Sequence, residues 1–187
     1  MRRTKLVITV AGVGLVMASA AACSSNATPA AAPTTSALTV SASPSPSATG
    51  PSTQALAAYN GMVKLMESMF AAAEFNSSIS SYTYGTAQQQ LVTDVSELRT
   101  SGYMTVGSLS NDPAVSSVNT LTHPETVTIT DCWDASKWRY VYATDTAAGP
   151  VQATNKPATV ATATVTDESF GWRVTTFTIG STPCTVK

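Results

Sequence analysis

The chain reads as an α+β protein: N-terminal helices packed on a curved, mostly antiparallel sheet, behind an N-terminal segment that belongs to no fold. Two observations carry this. From Leu56 onward the apolar positions recur at helical spacing, and from Tyr103 onward they alternate with period two. Helices followed by a run of strands separated by short turns point to α+β rather than to a parallel α/β sheet.

The first helix is carried by Leu56, Tyr59, Val63, Met66, Phe70 and Ala73, spaced by three and four, with Asn60, Lys64, Glu67, Ser68 and Glu74 mostly opposite. Asn76-Ser77-Ser78 weakens the pattern. A second helix is expected from about Thr86 to Leu98, with Leu91, Val95 and Leu98 inward and Gly102 ending it. Strands are expected at 103–109, 115–121, 125–132, 138–144, 159–167 and 170–179. Turn signals at Asn111-Asp112-Pro113, His123-Pro124, Ala148-Gly149-Pro150 and Asn155-Lys156-Pro157 separate them. Val127, Ile129 and Asp131 share one face of the third strand, and Trp138, Tyr140 and Tyr142 share one face of the fourth. The Asp167-Glu168-Ser169 link makes the last two strands a hairpin.

Before the helices lie two segments of a different kind. Residues 1–22 run from a basic start, Met1-Arg2-Arg3-Thr4-Lys5, through an apolar stretch from Leu6 to Ala18, to Ser19-Ala20-Ala21-Ala22. That is the order of a secretory signal, too short to span a bilayer as a permanent helix. The small residues immediately before Cys23 resemble the lipobox of bacterial lipoproteins, with Ala20 where that family usually has Leu, Val or Ile. The resemblance implies that Cys23 receives a diacylglycerol and becomes the lipidated N-terminus, anchoring the chain to the extracytoplasmic face of the cell membrane. Residues 23–53 are Ser, Thr, Pro and Ala at all but five positions, without a charge or an aromatic. Such a chain buries too little to offset its ordering entropy and reads as a disordered tether. This leaves residues 54–187 as the folded domain, long enough for one core.

Charge excludes some partners. The chain has 10 Lys and Arg against 11 Asp and Glu, and no charge between Lys5 and Lys64. Loss of Arg2, Arg3 and Lys5 with the signal leaves a mildly acidic domain, unsuited to nucleic acid. After Cys23 is assigned to lipid, Cys132 and Cys184 form an even pair in an exported chain, where a disulfide is expected. A metal or redox pair is the alternative, but there is no Cys-x-x-Cys and no multi-histidine set, His123 being the one histidine. No metal, cofactor or Gly-rich phosphate loop is expected.

Several short motifs, taken in order, carry a resemblance over roughly 56–186: Tyr59-Asn60-Gly61-Met62, Tyr84-Gly85, Gly102 through Gly107, Thr130-Asp131-Cys132-Trp133-Asp134-Ala135-Ser136 and Gly171-Trp172-Arg173-Val174. Together they resemble the secreted, lipid-anchored NTF2-like (SnoaL-like) domains of Gram-positive bacteria. The resemblance implies a cone in which helices line the open side of a curved sheet. It also implies an enzymatic option, because some relatives are isomerases, dehydratases or cyclases that use a carboxylate and a Tyr hydroxyl inside the cone. Asp131 is the candidate base, with Tyr59 or Tyr140 as donor. The competing reading, the one favoured here, places Asp131 at its strand end, solvated or bonded to the following turn. The sequence thus predicts a non-catalytic, lipid-anchored domain whose pocket between Tyr59, Phe70, Asp131, Trp138, Tyr140 and Trp172 takes a small apolar ligand, or whose surface binds an envelope protein. A homodimer through the outer sheet stays open, and a small-molecule isomerase or lyase is the alternative.

Overall fold

The computed structural model describes residues 50–151 and 157–187, together with the backbone but not the side chain of Ala148. The expected signal, Cys23 and nearly all of the expected tether lie outside the described residues.

Helix α1 (Pro51–Ala72) starts inside the segment expected to be tether. The physical reason is local: Pro51 occupies the first helical turn, where its fixed φ suits a helix and its missing N–H costs nothing. Eight of its residues are buried, among them Tyr59, Met62, Val63, Met66, Met69 and Phe70, a stripe at helical spacing. It ends at Ala73, which takes a left-handed conformation with φ 50° and returns its N–H to the Met69 and Phe70 carbonyls. A 3-10 turn at Ser77–Ser81 follows, started by the Asn76 side chain accepting from Ser78 N and seating Ile79 in the core. Helix α2 (Gly85–Ser101) buries Ala87, Leu91, Val95 and Leu98 and is closed by Gly102 at φ 71°.

Among the described residues six strands follow: β1 (Tyr103–Val106), β2 (Ala114–Asn119), β3 (Thr126–Trp133), β4 (Arg139–Tyr142), β5 (Thr159–Glu168) and β6 (Gly171–Pro183). All strand pairs are antiparallel, and the four-stranded sheet is open, in the order β2-β3-β5-β6. The strands do not form one uninterrupted sheet. β1 and β4 leave it and pair with each other, Tyr103 opposite Tyr142 and Thr105 opposite Tyr140. β1 is also shorter than its apolar run, because Gly107 turns at φ 89° against the Lys137 carbonyl, where a Cβ would clash. Trp138 stands just outside β4, in a turn closed by its N–H to the Ala135 carbonyl.

The core lies between the helices and one face of the strands. Val127, Ile129, Asp131 and Trp133 of β3 are buried there, alternating with half-buried Thr126, Thr128, Thr130 and Cys132. Across the β5 partner the facing residues are Val165, Ala163, Ala161 and Thr159. The two alanines leave room for large neighbours: Phe177, opposite Ala163 on β6, has its ring 4.9 Å from that of Trp133 and 6.4 Å from that of Tyr59. Beyond the core face, a disulfide joins Cys132 to Cys184 with their Cα atoms 5.8 Å apart. It fastens the tail beyond β6 to the end of β3, beside a Cys184 N–H bond to the Ala158 carbonyl.

Candidate functional site

The residues expected to line one pocket fall into two places. Tyr59 and Asp131 are in the core, and Phe70, Trp138 and Tyr140 are beside a surface cavity.

In the core, Asp131 is 2% exposed, held inward by the same alternation that buries Ile129 and Trp133. It is neither solvated nor bonded to the turn that follows. One carboxylate oxygen, Oδ2, accepts from the Tyr59 hydroxyl at 2.7 Å, the Trp133 indole N–H at 2.8 Å and the Asn111 amide at 3.0 Å. The other, Oδ1, accepts from the Asp112 backbone N–H at 2.7 Å. A buried carboxylate is tolerated only when its lone pairs are met, and here four donors meet them. Asn111 and Asp112 belong to the loop before β2, so the carboxylate joins that loop, β3 and α1. The Trp133 N–H is also 2.9 Å from the Tyr59 oxygen. Burial, reinforced by the hydrogen bond to Asp131, pushes the Tyr59 phenol well above its ordinary range. It therefore stays a proton donor to the carboxylate. This triad is a polar knot inside an aromatic shell, and none of its three residues lines the cavity beside α2.

The cavity, about 390 Å³, opens between α2, the end of α1 and the β1–β4 ribbon. Its aromatic wall is Phe70, Tyr103 and Tyr140, and Leu98 and Val151 add aliphatic surface. Its polar side comes from α2: Asp94, Glu97 and Ser101, spaced so that with Leu98 they form one helical stripe. The Trp138 ring does not line the cavity but braces its wall, 5.4 Å from Phe70 and 6.4 Å from Tyr140. Burial raises the Asp94 carboxyl above the usual carboxylate range, and the Glu97 charge raises it further. Burial, then the Asp94 charge, likewise raises the Tyr140 phenol. Among the described residues, none that lines it is basic.

Trp172 is in the core and does not line the cavity. It is 9% exposed on β6, opposite Asp167. Arg173, on the other face of that strand, lays its guanidinium 3.9 Å from the centre of the Phe170 ring. His123 is exposed, its peptide bond to Pro124 is cis, and it touches neither site. Sequence reasoning missed Asp94, Glu97, Leu98, Ser101, Tyr103 and Val151 as cavity residues. The α2 residues had a signal, the stripe at i, i+3, i+4 and i+7 beside the apolar one; Val151 had none. Among the described residues no group of three metal-ligating side chains occurs, and no helix is long and apolar enough to cross a membrane.

No protein-family model matches the chain, and no curated protein does. Among solved structures it is similar to the intermembrane space region of chloroplast protein ARC6, with 11% identity over 66% of this chain and 91% of that one, at a TM-score of 0.42.

Proposed function

We propose that this chain is a lipid-anchored, extracytoplasmic binding domain of NTF2-like type: Cys23 carries the lipid, the Ser/Thr/Pro/Ala segment spaces the domain from the membrane, and the domain binds without catalysing. The observation that carries the non-catalytic reading is the state of Asp131. The carboxylate best suited to act as a base spends its acceptor capacity on Tyr59, Trp133, Asn111 and Asp112. A general base must be within reach of a substrate proton. Asp131 and Tyr59, 2% and 0% exposed, are the pair an isomerase would use, yet neither lines the cavity beside α2.

Helices laid over one face of an open sheet support the cone expected of the NTF2-like resemblance, and the cavity beside α2 supplies the concave surface that a binding role needs. An envelope-protein partner is the second reading, favoured by exposed apolar residues around edge strand β2, Val118 at 44% and Leu121 at 94% exposure.

The test is native mass spectrometry of the full chain, extracted from membranes of an expressing bacterium in non-ionic detergent. A diacylglycerol adduct localised to Cys23, lost in Cys23→Ala, is expected, with a bound small molecule retained on the domain. An unmodified Cys23 would remove the lipid anchor. Turnover of added ketone or hydroxyacyl substrates, lost in Asp131→Asn, would establish the enzyme instead.

A further inference from the structure

We propose that Tyr103 and Tyr142 form an oxidative cross-linking site, where a peroxide-driven one-electron oxidant joins their rings into an intramolecular dityrosine. The modification is independent of what fills the cavity.

Strand pairing in the ribbon brings the two rings together. Tyr103 opens β1, Tyr142 closes β4, and the two stand directly opposite one another. Directly opposed residues of an antiparallel pair share a face, so their side chains meet. The ring centroids are 5.2 Å apart, with the planes inclined at 57°. In a dityrosine the centroids sit one ring radius either side of a single carbon–carbon bond. The linked rings are themselves twisted, so little further approach is needed here. A hydrogen bond with Tyr142 is the main cause that raises the Tyr103 phenol above its ordinary range. Hydroxyls that share a hydrogen bond bring together the ring carbons beside them, and those are the carbons that couple.

Exposure and partner separate this pair from other tyrosines. Tyr142 is 46% exposed and Tyr103 is half-buried. Tyr59 is fully buried and donates to Asp131. Tyr84 is exposed, but its ring meets Phe170, which has no hydroxyl to oxidise. Each phenol of the pair gives up one electron and its hydroxyl proton. The two radicals then couple at the carbons next to the hydroxyls, and the hydrogens on those carbons move to the oxygens. Two electrons and two protons pass to one hydrogen peroxide, which becomes two waters. The bridge ties the first residue of β1 to the last of β4, in a ribbon of four residue pairs outside the four-stranded sheet. A two-stranded ribbon is marginal by itself and gains from a covalent tie. Tyr103 also lines the cavity, so the tie fixes one of its walls.

The experiment oxidises the full chain, dilute in non-ionic detergent, with a haem peroxidase and stoichiometric hydrogen peroxide. A monomer lighter by two hydrogens, with dityrosine fluorescence, is expected, because a neighbouring ring competes at an effective concentration far above that of other chains. After reduction and trypsin digestion, the peptide holding Tyr103 should be joined to the one holding Tyr142. Tyr103→Phe and Tyr142→Phe, which keep the ring, should each abolish the product, and Tyr84→Phe should leave its yield unchanged. The cross-linked monomer should unfold at higher urea than the untreated chain, with no such rise in Tyr142→Phe after the same treatment. Dityrosine that joins separate chains, that persists in Tyr142→Phe or that does not form overturns the site. An unchanged urea midpoint in the cross-linked monomer overturns the tie's effect on the ribbon.

Discussion

A single carboxylate organises the interior. Asp131 sits among aromatic and aliphatic side chains, and it is stable there only because four donors from three parts of the chain converge on it. Asp131→Asn would turn one acceptor edge into a donor facing other donors. A loss of about 2–3 kcal/mol is expected, since hydrogen bonds to a charged buried group are the costly ones to break. In a domain of this size that corresponds to a melting-temperature drop on the order of 10 °C by calorimetry. Tyr59→Phe should cost less, because Trp133 still donates to the carboxylate. At the cavity, Asp94 gives a pH prediction. Its carboxyl is held above the ordinary 3.8 by burial and then by Glu97, so the folded chain binds that proton more tightly than the unfolded one. The corresponding stability is present below the ordinary value and is lost as pH rises through the raised one. Asp94→Asn should therefore raise the melting temperature at pH 7 and leave it unchanged at pH 3.

At the scale of elements, α1 was legible as a stripe but one of its contacts was not. The ring of Tyr82 lies against the backbone of Gly61 so closely that a Cβ there would overlap it. In an exposed helix Gly→Ala gains about 1 kcal/mol. Here Gly61→Ala should instead cost about 1–2 kcal/mol, because overpacking outweighs propensity. Urea denaturation reads this directly, and in a Tyr82→Ala background the same substitution should turn neutral or stabilising. The strands were legible within a few residues, since Val127, Ile129, Val165 and Val174 follow the period of two. Their partners were not. Nothing in Tyr103–Val106 or Arg139–Tyr142 announces that these runs pair with each other, away from the four-stranded sheet. Pairing between distant strands is settled by how faces close over a core, and local alternation carries no record of it.

For the molecule as a whole, the sulfur bridge closes a loop of 52 residues that includes β4, β5 and β6. Constraining a loop that long in the unfolded chain is worth about 4 kcal/mol in the chain-entropy account. The Cys132→Ser, Cys184→Ser double variant should lose stability up to that amount, measured by guanidinium unfolding against the oxidised chain. The candidate site was only half readable at this scale. Phe70 and Tyr140 were singled out for a pocket and do line the cavity; Tyr59 and Asp131 were grouped with them and lie in the core instead. The error has a plain cause. Inward-facing residues on one strand face can point into a cavity or into packed side chains, and the alternation along the strand is the same in both cases.

Taken alone, the order of residues determined what short-range physics can determine: where helical and extended periods begin and end, which face of each is apolar, and which two cysteines remain to pair. Only the folded arrangement decided which strands became neighbours, that the inward aspartate is saturated by a distant loop and two aromatic donors, and that two acidic side chains on α2 face a ring-lined hollow. Those outcomes depend on residues far apart in the chain meeting in space, and no local pattern encodes a meeting whose partners are chosen by how the whole interior fills.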